Sequence, residues 1–124
     1  MDFTLPPQTE DYRKRYRAFV AEHLLPLEGD PDSFDDHENI RLDMLDKMRA
    51  HAKTAGLWAP QMPVARGGLG FNVVGMAACY EEMNYSLFGP VVFNCAAPDD
   101  GNMTVLNKIA TEPQKQRWLQ PIID

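Results

Sequence analysis

The sequence is poor in the residues that usually announce a site. It has two cysteines in 124 residues, and Cys79 and Cys95 sit inside apolar segments with no CxxC spacing. A disulfide framework is therefore not expected, and both read as small buried thiols. Three histidines, His23, His37 and His51, have no histidine three or four residues away, so no helical imidazole pair is offered to a metal. No apolar run approaches the ~20 residues that span a bilayer. No segment alternates apolar and polar residues over the length of a strand, and no internal repeat is visible. Positive charge is scarce too. Twelve Lys and Arg stand against 18 Asp and Glu, for a net charge of −6, whereas nucleic-acid binding wants clustered cations. The acidic start "MDFTLPPQTED" has neither a basic signal region nor an Arg-rich transit pattern, so a soluble cytoplasmic protein is expected.

What is present is an ordinary globular composition, 44% hydrophobic and 24% charged, in a chain long enough to bury one core. Tyr12, Tyr16, Phe19, Val20, His23, Leu24 and Leu27 recur at helical spacing after Pro7, and Pro26 predicts a stop near Leu25. Arg13, Lys14, Arg15 and Arg17 read as a solvated face. The acidic stretch Glu28–Asn39 fails as a calcium loop, because Phe34 takes the fifth position and Arg41 stands where a bidentate Glu belongs. Asp35 or Asp36 is expected to cap a second helix, from about Glu38 to Ala55, that ends in a Schellman turn at Gly56 and Leu57. Asn72 caps a third, Val73 to about Ser86, with Gly75 suggesting a close helix–helix approach. A further helix starts near Asp99–Asn102, where Pro98-Asp-Asp-Gly101 is read as a break before Asn102. Thr111-Glu-Pro-Gln114 is a capping box for the last. The expected fold is all-α, a bundle of five or six helices.

The loop "PVARGGLGFN" raises a phosphate question. A P-loop needs Lys after its last glycine, and a dinucleotide fingerprint needs a preceding strand and a third glycine where Val73 stands. Neither condition is met, so Gly67, Gly68 and Gly70 are read as a helix–helix turn using glycine's backbone freedom. The adjacent pairs Glu81–Glu82 and Asp99–Asp100 read as exposed charge and as helix N-terminal charge. No Ser or Cys has a recognisable base.

The order of these segments is similar to something known. The helix "YRKRYRAFVAEHLLP", the close "AKTAGLWAPQMP", the "GGLG" turn, the apolar helix "VVGMAACYEEMNYS" and "GNMTVL…ATEPQKQRWLQP" resemble the N-terminal helical domain of acyl-CoA dehydrogenases over almost the whole chain. Two positions depart from the pattern: Val64-Ala65-Arg66 replaces an acid and an aromatic or His before the paired glycines, and Ala110 replaces a glycine. The resemblance implies an FAD-dependent enzyme that desaturates acyl-CoA thioesters, whose flavin site and catalytic Glu lie in a middle β-domain and a C-terminal helical domain. The 124 residues are then expected to be the N-terminal third, with neither of those domains, inactive alone and holding no FAD. It further implies an acyl-CoA substrate, an electron-transfer flavoprotein as partner and a homo-oligomer. Asn102, Met103 and Leu106 are the expected substrate contacts at the distal acyl chain. Plain core packing of Met103 and Leu106 is the equal alternative. A non-catalytic helical interaction or dimerisation module of the same ancestry is the second reading of the whole chain.

Overall fold

Pro7 sits in the first turn of a helix, where its missing N–H leaves no orphan. From there α1 runs through Pro7–Phe19, a wide turn at Val20–Leu24 and a final turn at Leu25–Glu28. The expected stop at Pro26 does not occur. Proline cannot donate, and its ring would strike the carbonyl four residues back. Val20–Leu24 relieves this by widening into a π turn, with the Leu25 N–H donating to Val20 O. The same device lets the last helix pass Pro121, where the Gln120 N–H donates to Lys115 O.

This computed structural model describes Asp2 and residues 4–124. After α1 come α2 (Leu42–Thr54), α3 (Val73–Met83), the short α4 (Gly89–Val92), α5 (Asp99–Ile109) and α6. The last is built from Glu112–Gln114, Lys115–Leu119 and Gln120–Ile123. Among the described residues there is no strand, only an isolated bridge between Phe34 and Ile40. The expected all-α bundle is what forms.

Boundaries follow local chemistry, with three corrections. The second helix begins at Leu42, not Glu38, because Asp35 Oδ1 accepts the N–H groups of His37 and Asn39 at 2.9 Å each and closes a turn. Asp35 caps a loop, then, and not a helix. Gly75 does not mark a helix crossing either: a Cβ there would meet the Phe71 side chain at 3.3 Å and Asn72 Oδ1 at 3.5 Å. It makes room for Phe71 and for the Asn72 cap, whose Oδ1 accepts the Gly75 N–H at 2.9 Å. Finally, α5 is continuous from Asp99 through Gly101 and Asn102, since acids suit a first turn and the exposed Gly101 meets no strain. The Schellman stop is present, with Gly56 at φ 66° and the Leu57 N–H donating to Ala52 O at 2.9 Å. So is the capping box, in which Gln114 Oε1 accepts the Thr111 N–H at 2.8 Å.

Two apolar clusters make the interior. The larger joins Tyr16, Phe19, Val20 and Leu24 of α1 to Leu45 and Met48 of α2, Cys79 and Met83 of α3, and Phe93. The smaller gathers Trp58, Met62, Met103, Leu119 and Ile123 beneath α5 and α6. Ser33 Oγ is buried with no hydrogen-bond partner, and nothing around it explains this.

Candidate functional site

The glycine loop is closed to a phosphate. The N–H groups of Gly67, Gly68 and Gly70 donate to Val64 O, Pro63 O and Met62 O at 2.8–3.1 Å, so none points at a ligand. Gly67 and Gly70 take φ 95° and 66°, while Gly68 is required by proximity: a Cβ there would lie 2.2 Å from Met62 O. Arg66 then pins the loop to α6, its Nη2 donating to both Glu112 carboxylate oxygens at 2.8 Å.

The polar centre of the α1–α3 contact is one the sequence misassigned. Glu82 is only 1% exposed. Its carboxylate accepts from Arg13 Nε at 2.8 Å, Arg17 Nε at 2.8 Å and Arg17 Nη2 at 2.5 Å. The Arg17 hydrogen bond, and after burial's opposing effect that of Arg13, hold its pKa below the ordinary carboxylate value. Arg15 is also engaged, with Nη2 donating to Ala55 O at 2.5 Å across to the end of α2. Of the four cations read as a solvated face, three are clamps between helices. The signal was there: Arg13 and Arg17 are one turn apart, and Glu82 interrupts an apolar helix.

A cleft of about 280 Å³ opens between α3, α4 and the segment leading into α5, lined by Tyr80, Met83, Asn84, Pro90, Cys95, Ala96 and Ala97. Asn94 directly precedes the lining residue Cys95. It is 5% exposed and adopts φ 61°, which Asn tolerates better than most residues. Its Nδ2 donates to Ile122 O at 2.9 Å, and its own carbonyl accepts from Gln61 Nε2 at 2.7 Å. Asn94 is thus tied by its side chain to the end of α6 and by its backbone carbonyl to the loop after α2. Burial pushes the Tyr80 phenol above its ordinary range, reinforced by Cys95 and Asp100 beside it. Burial likewise pushes the Cys95 thiol up to about 12 and the Cys79 thiol to about 11. Neither is a nucleophile, which would need a lowered pKa. The cleft can hold an apolar group with a few polar neighbours; it has no acid–base pair.

The three residues expected to meet substrate do not share a face. Asn102 is exposed, Met103 is fully buried, and Leu106 is half-buried against the smaller cluster. Met103 packs in the core, where Asn94 Nδ2 approaches its sulfur at 3.7 Å. Asn102 instead shares the outer face of α5 with Val105, 53% exposed, and Ile109, 78% exposed. The histidines hold a further surprise: the fold packs His23 against His51, ring centroids 4.3 Å apart and planes tilted by 53°, from two different helices.

Fold and cleft together define an all-α domain whose α3–α5 side carries a lined cleft and an unpartnered apolar helix face. Residues 6–124 match the model of the acyl-CoA dehydrogenase N-terminal domain. The chain belongs to that family and corresponds to its N-terminal domain. It is 35% identical over 115 residues to human acyl-CoA dehydrogenase family member 11, covering 88% of this chain and 14% of that protein. Identity is 31% over 129 residues to a Mycobacterium tuberculosis protein named a probable acyl-CoA dehydrogenase, covering 100% of this chain and 31% of the relative. A solved Mycobacterium abscessus structure assigned as an acyl-CoA dehydrogenase superposes with a TM-score of 0.80 at 30% identity, covering 98% of this chain and 32% of that one. The chain therefore spans a seventh to a third of the length of these relatives. Among the described residues no helix is long and apolar enough to cross a membrane.

Proposed function

We propose that this domain is part of an FAD-dependent enzyme that introduces an α,β double bond into acyl-CoA thioesters, and that it walls one side of the acyl pocket. The observation that carries this is the family match along residues 6–124, joined to an α5 face that is apolar and unpartnered. When bound, the flavin of such an enzyme accepts the hydride from the β-carbon. This chain offers that flavin no cradle, since the glycine loop spends its N–H groups internally. Glu82 does not suit the catalytic base, since it is buried and doubly paired. The work left to these residues is to shape an apolar tunnel and exclude water from the reacting carbons. Asn102 and Leu106 are the contacts we assign to the distal acyl chain, with Met103 supporting the helix from beneath. An acyl-CoA substrate, an electron-transfer flavoprotein and a cytoplasmic homo-oligomer complete the reading.

In the enzyme that carries this domain, Asn102→Leu and Leu106→Trp should each change relative kcat/KM among chain lengths about 10-fold, since one or two methylenes in a pocket are worth ~1–3 kcal/mol. Flavin content should stay constant. An unchanged chain-length profile in both variants would remove α5 from the pocket.

A further inference from the structure

The charge of this molecule is concentrated in one place. Residues 28–43 carry seven carboxylates against Arg41 alone, a net −6 that equals the charge of the whole chain. The remaining 108 residues carry eleven of each sign and balance. Three of the seven carboxylates accept backbone N–H groups. Glu28 Oε2 accepts the Leu87 N–H at 3.0 Å, Asp30 Oδ1 accepts the Asp32 N–H at 3.0 Å, and Asp35 Oδ1 accepts from His37 and Asn39. The lobe's one guanidinium is spent on Asp43, with Nε and Nη2 each 3.1 Å from a carboxylate oxygen.

The same lobe borders an apolar groove. Leu87 is 76% exposed and Leu42 75% exposed. Leu87 stands between two clefts, one of about 500 Å³ against Pro31 and Phe34, the other about 350 Å³ against Ile40, Leu42, Leu45 and Val91. Its backbone is held on both sides. Glu28 holds its N–H, and the next turn is locked because Gly89 packs where a Cβ would lie 1.9 Å from Met83 O. A leucine on a held backbone between two apolar clefts, rimmed by net negative charge, has the layout of a protein-recognition surface.

We propose that this groove docks a basic, amphipathic segment of another protein, whose apolar side chains fill the clefts beside Leu87 while its Lys and Arg meet the acidic rim. Charge selects the occupant. A second copy docking isologously would set −6 against −6, and an anionic lipid surface would be repelled. The surface is independent of the α5 face assigned to the acyl chain, so failure of either leaves the other standing.

The test uses this chain and two fluorescein-labelled peptides of equal charge, a Lys/Leu amphipathic helix and a Lys/Ser control, titrated by anisotropy in 150 mM NaCl. The Lys/Leu peptide should bind at least tenfold more tightly than the control. Leu87→Ser with Leu42→Ser should weaken it at least tenfold, as should Asp36→Asn with Glu38→Gln. Both pairs alter exposed side chains, so the far-ultraviolet circular dichroism should be unchanged. Should the leucine pair disturb the fold, the charge pair decides. Equal binding of both peptides, variants that bind like the parent, or no binding of the Lys/Leu peptide would overturn the proposal. So would a sedimentation dimer that Leu87→Ser dissolves, because the occupant would then be a second copy.

Discussion

Replacing Glu82 by Gln tests the α1–α3 clamp most directly. The substitution keeps volume and one acceptor but removes the charge that two guanidiniums share. Breaking a buried ion pair costs ~3–5 kcal/mol when the orphaned partner stays buried. Here the side chains of Arg17 and Arg13 are 59% and 27% exposed, so both can recover water. The loss therefore falls at or just below the bottom of that range, about 2–3 kcal/mol at pH 7. For a chain of this size that lowers Tm by roughly 10 °C, readable by circular dichroism at 222 nm during heating or urea unfolding. The pH dependence gives a second, independent reading. Glu82 has its folded pKa lowered from the ordinary 4.5. Its stabilisation is therefore fully present above that value and is lost as pH falls through the lower folded pKa. The stability difference between parent and Glu82→Gln should accordingly be widest above about pH 5 and shrink toward pH 3. A variant within 0.5 kcal/mol of the parent at pH 7, or a difference that does not narrow in acid, would refute the clamp.

Gly68→Ala should cost more than ~3 kcal/mol or prevent folding, as its Cβ would lie 2.2 Å from a carbonyl oxygen; Gly67→Ala, whose nearest contact is 3.7 Å away, should cost only the ~1 kcal/mol of its positive φ. Urea midpoints would separate the two, and equal midpoints would contradict the geometry. Asn94→Asp keeps the tolerated φ but loses the donor to Ile122 O, which should cost ~1–3 kcal/mol and loosen the end of α6, read as faster amide exchange at Ile123 and Asp124. Exchange rates unchanged there would show that Asn94 is no tie. With pKa values raised to about 11 and 12, both thiols should react with a disulfide reagent at pH 8 roughly 100-fold slower in the native chain than in denaturant. A fast-reacting native cysteine would place it outside the core.

Much of the architecture was legible because it is encoded in short range. The stripe from Tyr16 to Leu24, the Asn72 cap, the Gly56 stop and the Thr111–Gln114 box each need only neighbours within a turn or two, and each is present in the fold. The misread boundaries were also local, but two local rules competed at them. Pro26 reads as a helix breaker, yet a widened turn absorbs its ring at the loss of little else. Asp35 suited a helix cap and a loop turn equally well, and Glu38 at φ 61° settled it for the turn.

The parts of the candidate site that stayed hidden are all pairwise and distant. Glu82 meets Arg17 across 65 residues, Asn94 meets Ile122 across 28, and His51 finds His23 on another helix. Residue-type rules weigh each partner separately, so four cations within five residues read as a solvated face, and the lone amide in "VVFNCAA" carries no signal by itself. Yet burying a carboxylate or an amide is costly unless it is paired, and that cost is itself a sequence-level clue. A polar residue inside an apolar helix or run, in a chain with unassigned opposite charges one turn apart elsewhere, predicts a long-range clamp. By that rule Glu82 pairs with Arg13 and Arg17, as the fold shows. The acidic lobe obeys the converse rule: among the described residues its carboxylates pair with no distant cation, and such charges point outward, toward another molecule.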